Sequence, residues 1–188
     1  MMKVVIMASG LGKRIASLAP TLPKPLTSIN DKPILQWEIE NLVRQSFVDI
    51  ILTVSHMAEK IQSYFQDGTA FGCRIEYFVE RERLGDAGAL FKLYNKGHLT
   101  GDFLLLTADS MFDVDFHRFI SFHQKKQALA TLFTHPNNHP YDSGLIVADK
   151  DSVIRQWFTQ EEERPKYYKN CVNAGLHIFS QVRCRPRS

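Results

Sequence analysis

Two cationic side chains follow a glycine-containing loop near the start of the chain, an arrangement suited to phosphate binding. The apolar segment Lys3–Met7 runs into Ala8-Ser-Gly-Leu-Gly12, after which come Arg14 and Lys24. A buried strand that ends in a glycine loop brings backbone N–H groups close to a polyphosphate. The prolines on either side of Lys24 restrict the backbone and hold this lysine in a narrow orientation. These residues therefore indicate phosphate chemistry.

The glycine loop departs from the two commonest phosphate-binding motifs. A Walker A loop requires glycine at its start and Ser or Thr after Gly-Lys, where this chain has Met7 and Arg14. A dinucleotide-binding fingerprint requires a third glycine at the position of Ile15. Taken alone, the loop therefore also fits a simple tight turn.

A carboxylate follows a second apolar segment, in the sequence Thr107-Ala-Asp109-Ser. A carboxylate at the carboxyl end of a buried strand is a usual ligand for Mg²⁺, which takes one or two carboxylates together with substrate phosphates. Asp109 is therefore a candidate metal ligand, with a turn or helix cap as the alternative role. The nearby Asp113 and Asp115 are expected to be capping or structural residues.

The hydrophobic pattern predicts the elements that position these residues. As far as Asp109 it alternates as βαβαβαβ, which is typical of a parallel sheet with helices on both faces. Ligands of such sheets bind beyond the carboxyl ends of the strands. The loop at 8–14, the Leu84-Gly85 turn and Asp109 are therefore expected at one edge. Strands are predicted at Val4–Met7, Val48–Val54, Cys73–Val79 and Phe103–Thr107, and helices at Ile34–Gln45 (with Pro33 as first helical residue), Ala58–Phe65 and Ala87–Asn95.

The second half of the chain is less regular but shows no linker or repeat. Residues 1–180 are predicted to form one domain, and 181–188 an irregular basic tail without hydrophobic period, so that the C-terminus looks truncated. A helix is expected at Phe116–Lys125, with further strands at Leu129–Thr134, Leu145–Val147, Val153–Phe158 and Leu176–Phe179.

Composition excludes several classes of protein. A formal net charge of +3 is too small and too evenly spread to indicate a nucleic-acid partner. No apolar segment approaches the ~20 residues that cross a bilayer. The cysteines at 73, 171 and 184 have no metal-type spacing, and a reduced cytoplasmic protein is expected.

Together the motifs resemble those of the sugar-1-phosphate nucleotidyltransferases, or NDP-sugar pyrophosphorylases. The stretch His135–Ser143 looks most like the heptose-1-phosphate and mannose-1-phosphate guanylyltransferase branch. The resemblance implies a three-layer α/β, Rossmann-like fold with a mostly parallel central sheet. It extends over nearly the whole chain, in the family's order and spacing, through Ala8–Arg14, Pro23–Leu26, Leu84–Leu90, Ala108-Asp109 and Val172–Gly175.

The resemblance also implies a reaction and a role for each site residue. The chain is expected to transfer GMP from GTP to a heptose- or mannose-type sugar 1-phosphate, releasing pyrophosphate, for surface polysaccharide synthesis. A homo-oligomer and a sugar phosphatase fused to the domain, as in some relatives, remain open. The implied roles are catalysis by Arg14 and Lys24, nucleotide binding by Ala8, Ser9, Gly10, Gly12, Leu84 and Gly85, sugar binding by Asn173 and Gly175, and Mg²⁺ binding by Asp109.

Two alternatives stand beside this interpretation. The first is a degenerate or truncated domain that binds nucleotide or sugar phosphate without catalysis. It is motivated by the family's second metal-binding aspartate, which is expected beyond the point where this sequence ends, and by the unusual residues Ser9, Lys13, Asp86 and Thr159-Gln160. The second is a short nucleotidyltransferase of the molybdopterin-cofactor type, although the Pro-Lys-Pro-Leu spacing favours the sugar enzymes.

Overall fold

The computed structural model describes residues 2–10, 22–82, 84–85, 87–137, 144–159, 162–164, 166 and 168–181. The strands are β1 (Lys3–Met7), β2 (Ser28–Ile29), β3 (Lys32–Pro33), β4 (Asp49–Val54), β5 (Arg74–Val79), β6 (Phe103–Thr107), β7 (Ala130–His135), β8 (Leu145–Ala148), β9 (Ile154–Phe158) and β10 (Val172–Phe179). The helices are α1 (Ile34–Arg44), α2 (Ala58–Phe65), α3 (Gly88–Asn95) and α4 (Phe116–Lys126), with 3₁₀ turns at Lys24–Leu26 and Thr69–Phe71. Residues 182–188, predicted as a basic tail, lie outside the described residues.

One mixed sheet organises this part of the chain. The sheet contains eight described strands. Seven of them pair in the order β5-β4-β1-β6-β10-β8-β9, and the eighth, β7, pairs with β10. The strands β5, β4, β1 and β6 run parallel, whereas β10 is antiparallel to β6, β7 and β8. The parallel strands are those that the βαβ pattern predicts, and they form the α/β fold expected from the sequence.

Alternate residues of the central strands face two different helical layers. Val4 and Ile6 of β1 pack with the apolar faces of α1, α2 and α4 on one side of the sheet. Val5 lies on the other side, in a cluster that includes Leu93 of α3. Because the side chains of a strand alternate between its faces, a strand covered on both sides must be apolar throughout. The three-layer arrangement follows from this requirement.

Helix α1 begins at Ile34, as the predicted range has it, and the structure corrects the position given to Pro33. Pro33 was expected as its first helical residue, but it precedes the helix and belongs to a short hairpin of β2 and β3. Strands of two residues have no hydrophobic period that a sequence pattern could reveal. The expected Asn30-Asp31 turn is present, with positive φ at both residues, as a tight hairpin requires.

The end of α1 fixes the segment that follows Asp109. The Gln45 amide donates to the carbonyl of Val114 at 3.0 Å and accepts from the N–H of Phe116 at 2.9 Å. One turn earlier, the Asn41 amide donates to the carbonyl of Phe112 at 2.7 Å. These side chains provide hydrogen-bond partners for the backbone of a segment that pairs with no strand.

Replacing Gln45 should therefore destabilise the fold. In Gln45→Met, the Phe116 N–H and the Val114 carbonyl lose their partners at similar side-chain volume, at a cost of about 1–3 kcal/mol. Urea unfolding measures this loss. Gln124 is an exposed glutamine of α4, and Gln124→Met is the matched control, expected within about 0.5 kcal/mol of the parent. Equal losses in the two variants would contradict the role given to Gln45.

An acidic side chain occupies the buried face of α1. Glu38 is 3% exposed and lies beside Leu35, Ile39 and Leu42 on that face. Neither carboxyl oxygen has a hydrogen-bond partner among the described residues. Burial raises the pKa of Glu38 well above its usual value of 4.5, and the negative charge of Asp109 raises it further. Burying a carboxylate without a partner is costly, so the neutral form is favoured.

Glu38 should therefore make the protein less stable as the pH rises. The folded state binds the proton of Glu38 more tightly than the unfolded state. The contribution of Glu38 to the free energy of unfolding is greatest below pH 4.5. It falls as the pH rises through the folded pKa, by about 1.4 kcal/mol for each unit by which folding raises that pKa. Glu38→Gln should raise the Tm at pH 8 and leave it nearly unchanged at pH 4, as measured by thermal denaturation.

Glu40, on the same helix, provides a control of opposite sign. A hydrogen bond from Lys32 lowers the pKa of Glu40. Its stabilising contribution is therefore present above pH 4.5 and is lost as the pH falls through the lowered pKa. Glu40→Gln should leave the Tm at pH 8 equal or lower. A fall in Tm at pH 8 for Glu38→Gln would show that its carboxylate is paired in the folded protein.

Candidate active site

The predicted phosphate loop and Asp109 leave the sheet at the same edge. Met7 pairs with both Thr53 and Thr107, the corresponding residues of the flanking parallel strands. One residue further on, the N–H of Ala8 donates to the Thr53 carbonyl at 2.8 Å, and that of Ala108 to the Met7 carbonyl at 3.1 Å. This parallel register brings Ala8 and Asp109 to neighbouring positions at the carboxyl ends of the strands.

The start of the loop is anchored by the neighbouring strand. The hydroxyl of Ser55, just after β4, donates to the carbonyl of Ser9 at 2.8 Å. Gly10 is exposed, and a Cβ there would meet no described atom within 4 Å. No described residue therefore fills the space beside Gly10. Two of the predicted site residues, Gly12 and Arg14, lie outside the described residues.

Lys24 and Asp109 form an ion pair at this edge. The Lys24 Nζ donates to Asp109 Oδ2 across 85 residues of sequence. Pro25 and Leu26, which complete the 3₁₀ turn begun by Lys24, are buried and anchor its backbone. The side chains of Lys24 and Asp109 are 29% and 39% exposed. Both charges are thus held in place and remain open to solvent on one side.

Asp109 is the described carboxylate best placed to hold a metal ion. No group of three or more His, Cys, Asp or Glu side chains suited to a metal occurs among the described residues. Mg²⁺ does not need one, because it completes its shell with water and substrate phosphates. A partly exposed aspartate beside the predicted phosphate loop fits that ion.

The predicted sugar-binding residues lie next to the strand that leads to Asp109. Gly175 has a φ of +81°, and a Cβ there would come within 2.7 Å of the Thr107 hydroxyl oxygen. Only glycine allows β10 to approach β6 this closely with that backbone conformation. Between Asn173 and His177, β10 also has an irregular register with β7, which re-aims the side chains.

Leu84 and Gly85 follow the carboxyl end of β5, the outermost of the four parallel strands. They precede α3, and Gly85 has a φ of +73°. Leu84 lines a cavity of about 620 Å³ together with Glu76 and Phe78 of β5 and Lys92 of α3. Among the described residues, no hydrogen bond joins this segment to Lys24 or Asp109. The structure thus pairs Lys24 with Asp109 at the edge where the loop begins, and leaves Leu84 and Gly85 further along that edge.

Several residues of the site were not predicted. Ser55 and Thr107 act through contacts between distant segments, so no local signal identifies them. Glu38 does have a signal, because it occupies an apolar position of the helical pattern. By contrast, Asp115 behaves as predicted: it caps α4 by accepting from the N–H of Arg118 at 2.9 Å.

Cys73 shows no sign of catalytic activation. Cys73 is buried, and burial raises the pKa of its thiol to about 11. A reactive thiol has a lowered pKa, because the thiolate is the nucleophile. Cys73 therefore serves the packing of the core.

Comparison with known proteins connects this site to a family. The family described as "Nucleotidyl transferase" matches residues 3–184. The chain is 33% identical over 190 residues to a UTP–glucose-1-phosphate uridylyltransferase of Synechocystis, covering 95% of this chain and 49% of that protein. It is 30% identical over 180 residues to the D-glycero-alpha-D-manno-heptose 1-phosphate guanylyltransferase of Campylobacter jejuni, covering 96% and 76%.

A solved structure shows the same fold. HddC from Yersinia pseudotuberculosis, complexed with GMP-PN, superposes with a TM-score of 0.80 at 24% identity, covering 100% of this chain and 81% of that one. The chain spans about half the length of several curated relatives that it matches. On the strength of the family match and these relatives, the chain belongs to the nucleotidyl transferase family of sugar-1-phosphate nucleotidyltransferases.

Proposed function

We propose that this chain transfers a nucleoside monophosphate from a nucleoside triphosphate to a sugar 1-phosphate, releasing pyrophosphate. The observation that carries this proposal is the contact between Lys24 and Asp109 at the carboxyl edge of the sheet. A cation for phosphate oxygens and a carboxylate for a metal ion meet there, beside the open start of the glycine loop. The family membership supports the same chemistry.

The proposed reaction needs alignment and charge neutralisation more than proton transfer. An oxygen of the sugar 1-phosphate attacks the α-phosphorus, and the bond from that phosphorus to the pyrophosphate oxygen breaks. Because the nucleophile is already anionic, no general base is required. The Lys24 ammonium would neutralise phosphate charge as it moves to the leaving group. The backbone at Ala8 and Gly10 would hold the triphosphate in line.

Asp109 would hold Mg²⁺ when the nucleotide is bound. The ion would offset phosphate charge and polarise the phosphorus centre. The exposed part of the Asp109 carboxylate leaves room for it, and Lys24 can then turn from the carboxylate to the phosphates. Arg14 is proposed as a second cation for the triphosphate.

At the finer level, we propose GTP as the nucleotide and a heptose- or mannose-type sugar 1-phosphate as the acceptor. The support is the 30% identity to the heptose 1-phosphate guanylyltransferase, of which the chain covers 76%. Leu84 and Gly85 are proposed to lie beside the nucleoside, and Asn173 and Gly175 beside the sugar. Such an activity would serve surface polysaccharide precursors in the cytoplasm. The longest described helices, α1 and α4, have 11 residues each, too few to cross a bilayer.

The uridylyltransferase relative supports a second candidate pair of substrates. At 33% identity it favours UTP and glucose 1-phosphate as strongly as the guanylyltransferases favour GTP. Leu84 and Gly85 carry no polar side chain whose identity would indicate the base. A nucleotide-binding domain without catalysis is the alternative from a different class; it predicts thermal stabilisation by ligands without pyrophosphate release.

Removing either member of the ion pair should abolish turnover without unfolding the protein. In Lys24→Ala and Asp109→Asn, the rate of pyrophosphate release should fall by about 100-fold or more, since each removes a charge at the reacting phosphates. The Tm should change little, because a partly exposed ion pair contributes only about 0–1 kcal/mol.

The Lys32–Glu40 pair offers a matched control. Its side chains are 28% and 35% exposed, much like those of Lys24 and Asp109, and it joins the hairpin to α1 without involving a residue proposed for the site. Lys32→Ala should keep at least half of the parent rate. Full activity in Lys24→Ala or Asp109→Asn would disprove the roles assigned to them.

A further inference from the structure

The side chain of Asn173 is held by two hydrogen bonds to the same atom. The backbone N–H of Gly175 donates to Asn173 Oδ1 at 3.1 Å. The Nε2 atom of His177 lies 2.8 Å from the same oxygen. All three residues belong to β10, within the stretch where its register with β7 is irregular. The irregular strand thus folds its own side chains into a local network.

The Gly175 contact determines which way the Asn173 amide faces. A backbone N–H can only donate, so the atom that it meets must be the amide oxygen and not the NH₂ group. That oxygen carries no hydrogen, so the Nε2 of His177 must be the donor of the second bond. Both lone pairs of Oδ1 are then engaged, and the amide cannot rotate by 180° without losing both bonds.

The surroundings of His177 favour the required neutral tautomer. Its Nδ1 atom is buried and has no hydrogen-bond partner among the described residues. Protonating Nδ1 would therefore bury an unsatisfied donor, and burial lowers the pKa of His177. The ring packs against Phe179, at 5.9 Å between centroids, and its strand neighbours are Leu105 and Leu132. An apolar setting of this kind keeps the proton on Nε2.

With its oxygen engaged, Asn173 offers a ligand only hydrogen-bond donors. Asn173 is half-buried, and its Nδ2 group forms no hydrogen bond to another described residue. The amide lies beside the active-site edge, because Gly175 packs on Thr107, two residues before Asp109. A donor in this place suits an acceptor oxygen, such as a sugar hydroxyl or a phosphate oxygen.

We infer that His177 is a positioning residue, which fixes the Asn173 amide so that its Nδ2 group donates to an oxygen of the sugar 1-phosphate. This inference rests on the proposed function and adds to it the residue that orients the sugar contact. His177 does not touch the substrate. It acts through Asn173, so its loss should weaken the binding of the sugar 1-phosphate and leave the binding of the nucleotide unchanged.

Two substitutions of His177 by an amide residue test whether the hydrogen-bond donor must lie at the position of Nε2. In His177→Gln the amide nitrogen takes the place of Nε2 and can still donate to Asn173. In His177→Asn the side chain is shorter and its nitrogen falls near the place of Nδ1, out of reach. The KM for the sugar 1-phosphate should rise about fivefold in His177→Asn, equivalent to one hydrogen bond of ~1 kcal/mol, and stay within about twofold in His177→Gln.

Three further readouts distinguish this role from a structural one. The kcat and the KM for the nucleoside triphosphate should stay within about twofold of the parent in both variants. In an Asn173→Ala background, His177→Asn should have no further effect, because the two residues act as one unit. Equal KM values for the sugar 1-phosphate in the two variants would overturn the inference, as would a parallel rise in both KM values.

The hydrogen bond itself can be tested without turnover. In ¹⁵N NMR spectra near neutral pH, His177 should show the neutral tautomer with the proton on Nε2, and Asn173→Ala should shift that resonance. A proton on Nδ1 would overturn the inference whatever the activity. A parent protein that releases no pyrophosphate with any sugar 1-phosphate would overturn the proposed function and the ligand assigned here. Parent turnover with an unchanged His177→Asn variant would overturn the positioning role alone.

Discussion

The parallel pairing of β1 with β4 on one side and β6 on the other is the constraint on which the candidate site depends. Met7 pairs with Thr53 and Thr107, so the three strands end at the same level. Since β1 is covered by helices on both faces, its buried residues Val4–Ile6 must be apolar, and polar chemistry can begin only where the strand ends. The loop at Ala8, the Ser55 hydroxyl and Asp109 all emerge at that edge, and Lys24 joins them from a rigid turn.

The charges at this edge are arranged to be stable without a ligand and exchangeable with one. Lys24 and Asp109 neutralise each other while each remains partly exposed. Under the proposed function, a metal ion takes the carboxylate and phosphate oxygens take the ammonium, so that neither charge is left unpaired. Glu38 adds a buried acid nearby whose neutral form burial favours. Under the same proposal, the sugar 1-phosphate would meet neutral groups of β10 that present hydrogen-bond donors.

The sequence predicts those parts of the fold whose signals are local. The predicted bounds of α2 and β6 match those of the structure. The first has apolar residues at helical spacing, the second is a continuous apolar run, and each has a marked end. For β10, only Leu176–Phe179 was predicted, whereas the strand begins at Val172, since Ala-Gly in its middle has no strand pattern. Contacts that depend on tertiary structure could not be predicted: the pairing of Lys24 with Asp109 spans 85 residues, and the bond from His177 to Asn173 depends on the bend of β10.

The central claim is tested most directly by following the α-phosphate. The protein is incubated with Mg²⁺, a nucleoside triphosphate labelled at the α-phosphorus, and mannose, heptose or glucose 1-phosphate in turn. The account predicts that the label moves into a nucleotide sugar only when a sugar 1-phosphate is present, with one pyrophosphate released for each transfer. Label that remains in the triphosphate with every base and sugar, in a folded protein that still binds these ligands, would contradict it.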